Sequence, residues 1–147
     1  ITEMDCRTRN GRGPVKKTLE KNLIAMRELF REFASLFKEG KRSTKWLKTP
    51  RCQIYVRARY IESGAELCLA SIDIDEKLQG RGMLTELITF IQSELEFDVI
   101  SVESILSPRL SSFLERNGFQ LTYQSVEFGR IVARNVTAVK NSVKTRS

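Results

Sequence analysis

The sequence predicts an α/β domain with a mixed, mostly antiparallel central sheet that contains one parallel strand pair and is flanked by helices. Two observations support this class. Strand patterns at residues 52–60 and 65–74 follow each other across a short turn and predict a hairpin. A helical pattern at 84–95 then leads to another strand at 98–106. Because a helix crossover returns the chain in its original direction, strands 65–74 and 98–106 should be parallel neighbours.

A long helix should precede the sheet. Large apolar residues recur at spacings of four and three and predict one helix over residues 14–38: Leu19, Leu23, Met26, Phe30, Phe33 and Phe37. The helix should end before Gly40 and pack on the domain's own sheet, since the stripe is short for a coiled coil. The polar residues 1–13 should be disordered, and residues 41–51 form a basic connector with one helical turn around Trp46.

The end of the domain should contain a helix and a second hairpin. Ser107 is a suitable N-cap for a helix that starts at Pro108 and stops at Gly118. Strand patterns at 119–128 and 131–139 then predict a closing antiparallel pair. The expected organisation is a disordered basic N-terminus (1–13), one domain (14–139, with its core at 52–139) and a flexible basic tail (140–147).

Basic residues are concentrated towards the two ends of the chain. The net charge is +7, and residues 1–60 hold sixteen Lys and Arg against six Asp and Glu. Clustered positive charge attracts polyanions, so residues 1–60 could bind nucleic acid or an acidic protein. The alternative is an ordinary solvated basic surface.

Composition argues against metal and disulfide chemistry. The chain has three cysteines, no C-x-x-C pair and no histidine, so neither a metal site nor a disulfide framework is expected. Unpaired cysteines are typical of a reducing compartment, and we expect a cytoplasmic protein. No apolar run is long enough to span a bilayer, so a membrane partner is not expected.

The most informative stretch is the glycine turn between strand 65–74 and the following helix. Gly80 and Gly82 flank Arg81 there, in the segment "QGRGML". The first N–H groups of a helix lack intrahelical acceptors, and the helix dipole favours negative charge at that end. The pattern predicts an anion site for a ligand that carries phosphate. The alternative is a tight turn that binds no ligand.

The order of the elements and this turn resemble the GNAT superfamily of acyl-CoA-dependent N-acyltransferases over about residues 52–130. The best-known motif of that family is Gln or Arg, two residues, Gly, one residue, then Gly or Ala. Gln79 and Gly82 match it, whereas Leu84 departs from it at the third place. The sequence therefore carries the first part of the family's cofactor motif.

A second family motif, N-x-x-A-x-x-x-Y-x-x-x-G-F, fits the frame of "SPRLSSFLERNGF". Gly118 and Phe119 are in place, but Ser107 stands where Asn is usual and Leu114 where Tyr is usual. In many family members that tyrosine protonates the departing coenzyme A thiolate, which Leu114 cannot do. Tyr123 on the next strand is the candidate substitute, unless it only packs against its neighbours.

The resemblance implies an enzyme that transfers the acetyl group of acetyl-CoA to a primary amine of a protein or small molecule, by direct attack and without a metal. In this family the amides of the glycine turn cradle the pyrophosphate, and the pantetheine arm lies between the splayed strands, here 67–74 and 98–106. The implied cofactor-binding residues are Ile72, Ile74, Gln79, Gly80, Arg81, Gly82, Met83, Leu84, Thr85, Ser107 and Arg109.

The acceptor amine must lose a proton, and carboxylates near the splay are the candidate bases. Glu103 is the first, because it lies in an otherwise apolar strand and apolar surroundings make a carboxylate a better proton acceptor. The alternative for Glu103 is a solvated residue at a strand end. Asp73 is the second candidate, although it lies beside a turn.

A different reading keeps the fold without the catalysis. The departures at Leu84, Ser107 and Leu114 leave open a catalytically weak or inactive GNAT-fold module. Such a module would dock on nucleic acid or an acidic protein through its basic N-terminal half. The sequence leaves open the identity of the acceptor and the choice between monomer and homodimer.

Overall fold

The structure, a computed structural model, describes the backbone of residues 2–62, 64–103, 108–128 and 131–141 and the side chains of residues 14–62, 64–103 and 112–120. The elements in chain order are α1 (Thr2–Lys38), β1 (Thr44–Thr49), β2 (Cys52–Ile61), β3 (Gly64–Ile74), α2 (Met83–Glu94), β4 (Val99–Val102), α3 (Pro108–Arg116), β5 (Gln120–Phe128) and β6 (Ile131–Asn141). A short 3-10 turn, Glu76–Leu78, links β3 to α2.

The six strands form one mixed sheet in the order β1-β2-β3-β4-β6-β5. Every neighbouring pair is antiparallel except β3 and β4, which run parallel on either side of the α2 crossover. The two predicted hairpins, β2–β3 and β5–β6, are both present. The predicted fold class, a mostly antiparallel sheet with one parallel pair and a long N-terminal helix, is confirmed.

The parallel pairing between β3 and β4 stops before β3 does. It joins residues 66–69 to residues 99–102, and its last rung is the bond from Glu103 N to Leu69 O at 3.1 Å. β3 continues to Ile74, and over that length the described residues pair it with β2 alone. Over residues 70–74 one edge of β3 therefore has no strand partner in the described chain, which stops beside it at Glu103 and resumes at Pro108.

The C-terminal part of α1 packs on β1 and α2. The predicted apolar stripe belongs to the core, with buried side chains at Leu23, Met26, Phe30, Phe33 and Phe37. Ion pairs from Arg27 to Glu86 (3.1 Å) and from Arg31 to Glu94 (3.2 Å) join the exposed sides of α1 and α2. The prediction that the stripe packs on its own domain is confirmed.

A buried asparagine fixes α1 against the turn between β1 and β2. Asn22 Oδ1 accepts hydrogen bonds from Thr49 Oγ1 (2.6 Å) and Arg51 N (2.9 Å), and Asn22 Nδ2 donates to Thr18 O (2.8 Å). A buried amide is costly unless it is hydrogen-bonded. The two bonds from Thr49 and Arg51 therefore favour one position of α1 relative to the turn, and the bond to Thr18 orients the amide within α1.

α1 is longer than predicted. It begins at Thr2, so the structure gives a helical backbone to the segment 1–13 that we expected to be disordered, from its second residue onwards. Pro14, expected in the first turn, lies inside the helix, where it removes one N–H donor and tends to kink a helix without ending it. The division of the chain into a domain and two termini stays a prediction.

Two other boundaries differ from the prediction. Thr44–Thr49 form β1 instead of a connector with a helical turn around Trp46. Leu47 is fully buried whereas Trp46 is 46% exposed, which is the alternation of a strand with one face on the core. β4 spans only Val99–Val102, so it is shorter than the predicted strand at 98–106.

Gly64 begins β3 where the backbone passes close to Asp98. Asp98 Oδ2 accepts a hydrogen bond from Ala65 N (2.9 Å), and a Cβ on Gly64 would lie 2.0 Å from the same oxygen. The φ angle of Gly64, 134°, is also unfavourable for other residues. We expect Gly64→Ala to lower the free energy of unfolding by about 2–3 kcal/mol, as measured by urea denaturation.

Gly40→Ala is the matched control. Gly40 also has a positive φ (72°), but a Cβ added there meets no atom within 4 Å. Gly40→Ala should lower the free energy of unfolding only by the cost of the strained backbone, about 1 kcal/mol. Equal losses in the two variants would contradict the close approach between Gly64 and Asp98.

Candidate functional site

The segment that follows β3 is held at its start by an aspartate. Asp75 Oδ1 accepts a hydrogen bond from Lys77 N (2.9 Å), which caps the 3-10 turn, and Asp75 Oδ2 accepts one from Arg51 Nη1 (2.9 Å). The hydrogen bond from Lys77 N has the larger effect and the bond from Arg51 the smaller, and both lower the pKa of Asp75. The Asp75 carboxylate is therefore charged at neutral pH. These contacts tie the turn to the connection between β1 and β2.

Gln79 and two glycines then turn the chain into α2. Gln79 Nε2 donates to Ile74 O (2.8 Å), which folds the turn back onto the end of β3. Gly80 and Gly82 have φ angles of 71° and 81°, in the left-handed region that favours glycine. α2 starts at Met83 with Gly82 as its N-cap and without a hydrogen bond from a capping side chain.

The N-terminus of α2 presents backbone donors to open space. The bond from Glu86 N to Gly82 O (2.9 Å) begins the helical ladder, so the N–H groups of residues 83–85 have no backbone acceptor within the described chain. A Cβ on Gly82 would meet no atom within 4 Å. The geometry is that of the predicted anion site.

A groove of about 480 Å³ is lined by this turn, the end of β3 and α3. Its described walls are mostly apolar and consist of Ile72, Ile74, Leu78, Gln79, Gly80, Gly82, Met83, Leu84, Thr85, Phe113 and Arg116. A fitting ligand would combine an anionic group at the amide donors with a long, mostly uncharged part along the apolar walls.

Most of the predicted cofactor-binding residues line this groove, but three do not appear in it. Arg81 is exposed, and its Nε donates to Lys77 O (2.8 Å) instead of reaching the groove. Ser107 lies outside the described residues. Arg109 belongs to α3, but its side chain is not among the described ones. The roles of all eleven residues in cofactor binding stay predictions.

Sequence reasoning missed three wall residues, Leu78, Phe113 and Arg116. Leu78 follows the strand and was hidden in a polar turn. Phe113 and Arg116 are three residues apart on α3, a spacing that places two side chains on one helix face. This spacing is the signal that could have identified Arg116, because Phe113 is a large apolar residue of the same helix.

The first predicted base, Glu103, lies on the face of the sheet opposite α1 and α2. Ile100 and Val102 belong to the core beneath those helices, and strand alternation turns Ser101 and Glu103 to the other face. The Glu103 carboxylate forms an ion pair with Arg57 of β2, and 37% of its side chain is exposed. The expected burial of Glu103 is therefore wrong, and an ion pair takes its place.

The other two catalytic candidates are not brought to Glu103. Asp73 is exposed and lies opposite Gln53 on β2, beyond the last described row of pairing between β3 and β4. Tyr123 lies on β5 opposite Val136, and β6 separates β5 from β4. The side chain of Tyr123 is outside the described set, so its role as an acid stays a prediction.

The two described cysteines are buried and are poor nucleophiles. Burial raises the pKa of Cys52 to about 12, and the charge of Asp73 adds to this effect. Burial also raises the pKa of Cys68. Since the thiolate is the nucleophilic form, neither cysteine is suited to carry an acyl group at neutral pH.

Neither a metal centre nor a membrane-spanning helix is found in the described part of the chain. No group of three or more His, Cys, Asp or Glu among those residues is arranged to hold a metal ion. None of the helices there combines the length and the apolar character that crossing a bilayer takes.

No protein-family model matches the chain, and no curated protein does. Similar solved structures include a GNAT-family acetyltransferase from Bacillus cereus, with 16% identity and a TM-score of 0.45 over 75% of this chain and 81% of that one. A putative acetyltransferase from Agrobacterium tumefaciens shares 13% identity at a TM-score of 0.48 over 74% and 83%. Arabidopsis thaliana Naa50, in complex with the bisubstrate analogue CoA-Ac-MVNAL, shares 16% identity at a TM-score of 0.45 over 62% of this chain.

The chain spans 65% of the length of the Naa50 chain, just under two thirds. Each of these identities is below 20% and each TM-score is below 0.5, so the likeness to these acetyltransferases assigns no role to this chain. The roles of individual residues have to come from the geometry of this chain.

Proposed function

We propose that this chain is an N-acetyltransferase of the GNAT type, which transfers the acetyl group of acetyl-CoA to a primary amine of a protein or small molecule. The observation that carries the proposal is the groove that begins at the amide donors of α2 and follows the edge of β3 that has no strand partner among the described residues. Acetyl-CoA has the matching chemistry, because it joins an anionic pyrophosphate to a long arm that ends in a thioester. The motif residues Gln79, Gly82, Gly118 and Phe119 support the same class.

The pyrophosphate would be bound by the N–H groups of residues 80–85. Glycine at position 82 lets phosphate oxygens approach the backbone, because a Cβ there would project into the open space in front of the donors. Arg116 supplies a guanidinium from the opposite wall of the groove, and charge-assisted hydrogen bonds are stronger than neutral ones. We therefore assign the phosphate contact to Arg116 in place of Arg81.

The pantetheine arm would lie against β3 in the manner of an added strand. Within the described residues, the backbone of 70–74 is paired with β2 on one side only. The amides of pantetheine can bond to the free edge as a strand would. Ile72 and Ile74 line the groove along this path. The thioester would then lie near Leu69, where the gap between β3 and β4 opens to the far face of the sheet.

Acetyl transfer would take place in this gap, with the amine arriving from the far face. The amine nitrogen attacks the thioester carbon, a C–N bond forms, the C–S bond breaks and coenzyme A leaves as a thiolate. Glu103 stands at the gap on that face and would take the proton that the amine loses. Holding the amine and the thioester together supplies much of the rate, so no covalent enzyme intermediate is required.

The thiolate would leave without help from the usual tyrosine. Leu114 occupies that position, and its side chain is fully buried in the core. A thiol with a pKa of about 8.5 is a tolerable leaving group in its ionised form. The missing acid should slow the reaction without preventing it.

The alternative is a GNAT-fold binding module with weak or no catalysis, which the burial of Leu114 favours. Its proposed docking surface is less suited to binding a polyanion, because several basic residues of 1–60 pair with acidic residues of the chain itself, among them Arg27, Arg31, Arg51, Arg57 and Arg59.

Calorimetry with acetyl-CoA and a thiol-release screen of amine acceptors distinguish the enzyme from the binding module. Binding with turnover supports the enzyme, and binding without turnover supports the module. A folded chain that does not bind acetyl-CoA excludes the enzyme and leaves the binding module.

Gly82→Glu should weaken acetyl-CoA binding by at least about tenfold, because it places a carboxylate and a bulky side chain in front of the amide donors. Isothermal titration calorimetry measures the affinity. Gly40→Glu is the matched control, since Gly40 has a similar φ (72°) and a similarly open surrounding. Unchanged affinity in a folded Gly82→Glu protein would remove the cofactor assignment.

Arg116→Gln should weaken acetyl-CoA binding about tenfold and reduce the dependence of the affinity on salt, because one charge-assisted phosphate contact is lost. Arg81→Gln should change the affinity by less than about twofold, since the Arg81 guanidinium is bonded to the backbone of its own turn. The same calorimetric titration at two salt concentrations tests both variants. The opposite order of effects would return the phosphate contact to Arg81.

Glu103→Gln should leave acetyl-CoA affinity nearly unchanged, because the phosphates are bound at the other end of the groove. Turnover on an identified amine should fall about 10²-fold, the usual contribution of a general base. The defect should shrink at higher pH, where more of the amine is already neutral. Full turnover of the variant at neutral pH would exclude Glu103 as the base, and lost cofactor binding would show a structural role.

A further inference from the structure

Two arginines of β2 carry ion pairs on the far face of the sheet. Arg59 pairs with Glu66, which lies directly opposite it on the neighbouring strand β3. Arg57 lies opposite Cys68 on β3, yet it reaches past that strand to Glu103, the residue that follows β4. The second pair therefore spans three strands, whereas the first joins two adjacent ones.

The Arg57 guanidinium crosses β3 directly over buried neighbours. Its Nη2 lies 3.9 Å from Cys68 Sγ, and Cys68 and Ser101 in the same row are 5% and 4% exposed. The Glu103 backbone is fixed as well, since its N–H donates to Leu69 O. With both ends held, the Glu103 carboxylate is directed over β3, at the last described row of pairing between β3 and β4.

The stability of the fold does not account for this arrangement. The side chains of Arg57 and Glu103 are 45% and 37% exposed, and ion pairs with this much solvent contact contribute little to folding. The pair also orders two long side chains, which costs conformational entropy. What the pair does provide is a fixed orientation of the Glu103 carboxylate.

We propose that Arg57 is a positioning residue, which holds the Glu103 carboxylate at the mouth of the gap so that it can receive the proton of the acceptor amine. The inference rests on the proposed function and assigns a residue to its acceptor side. In the described chain Arg57 binds Oε1 of Glu103, which leaves Oε2 to accept the amine proton. A guanidinium suits this task, because its planar fork fixes the direction of a carboxylate better than an ammonium group does.

The experiment measures kcat, the KM of the acceptor and acetyl-CoA affinity for Arg57→Gln, Arg57→Lys, Glu103→Gln and the double variant Arg57→Gln/Glu103→Gln. Arg57→Gln should lower kcat about tenfold through misplacement of the base, with acceptor KM and cofactor affinity changed by less than about twofold. Arg57→Lys should recover part of the loss. The double variant should be no slower than Glu103→Gln alone, because Arg57 acts only through that carboxylate.

Arg59→Gln is the matched control, since it removes the neighbouring ion pair on the same strand and face. It should keep kcat within about twofold of the parent protein. Full kcat in Arg57→Gln, equal losses in the Arg57 and Arg59 variants, or a double variant that shows the product of both losses would each overturn the assignment. A parent protein that binds acetyl-CoA but releases no thiol with any amine overturns the proposed transfer activity, and the role of Arg57 with it.

Discussion

The structure depends on how far β3 and β4 stay paired. Pairing over residues 66–69 completes the central part of the sheet, and beyond Leu69 the described chain offers no second strand to the backbone donors and acceptors of β3. On the helix side this edge borders the apolar groove, and on the far side it meets Glu103, whose N–H is bonded to Leu69 O. Under the proposed function, the arm of the cofactor would lie along this edge and Glu103 would accept the proton beside it.

Much of the fold could be predicted because its signals are local. The alternation of β2 and the glycines at 80 and 82 lie within the elements that they determine. β1 could not be recognised, since Leu47 is its only buried residue and its strand conformation depends on pairing with β2 and on cover from α1. The start of α1 was hidden for a different reason, because Pro14 is as typical of a helix start as of a kink within a helix.

The candidate site divides in the same way. The glycine turn is contiguous in sequence and could be assigned to an anion, whereas Arg57 and Glu103 are separated by 46 residues and neither segment indicates the other. The expected burial of Glu103 was wrong because β4 ends at Val102, which leaves the next side chain able to turn towards β2. Arg116 reaches the groove only because α3 packs beside it. Local sequence patterns could not predict these contacts, because each one joins segments that are distant in the sequence.

The strand order also affects how the chain folds as the ribosome releases it. β6 lies between β4 and β5, although it is the last of these three strands to be synthesised. α1, β1, β2 and β3 can associate early through neighbouring contacts, but β4 has four residues, all of them buried, and its second strand partner is β6. A nascent chain therefore holds β4 by one edge until β6 inserts. Residues 99–102, which pair with the part of β3 that ends at Leu69, therefore gain their second strand partner last.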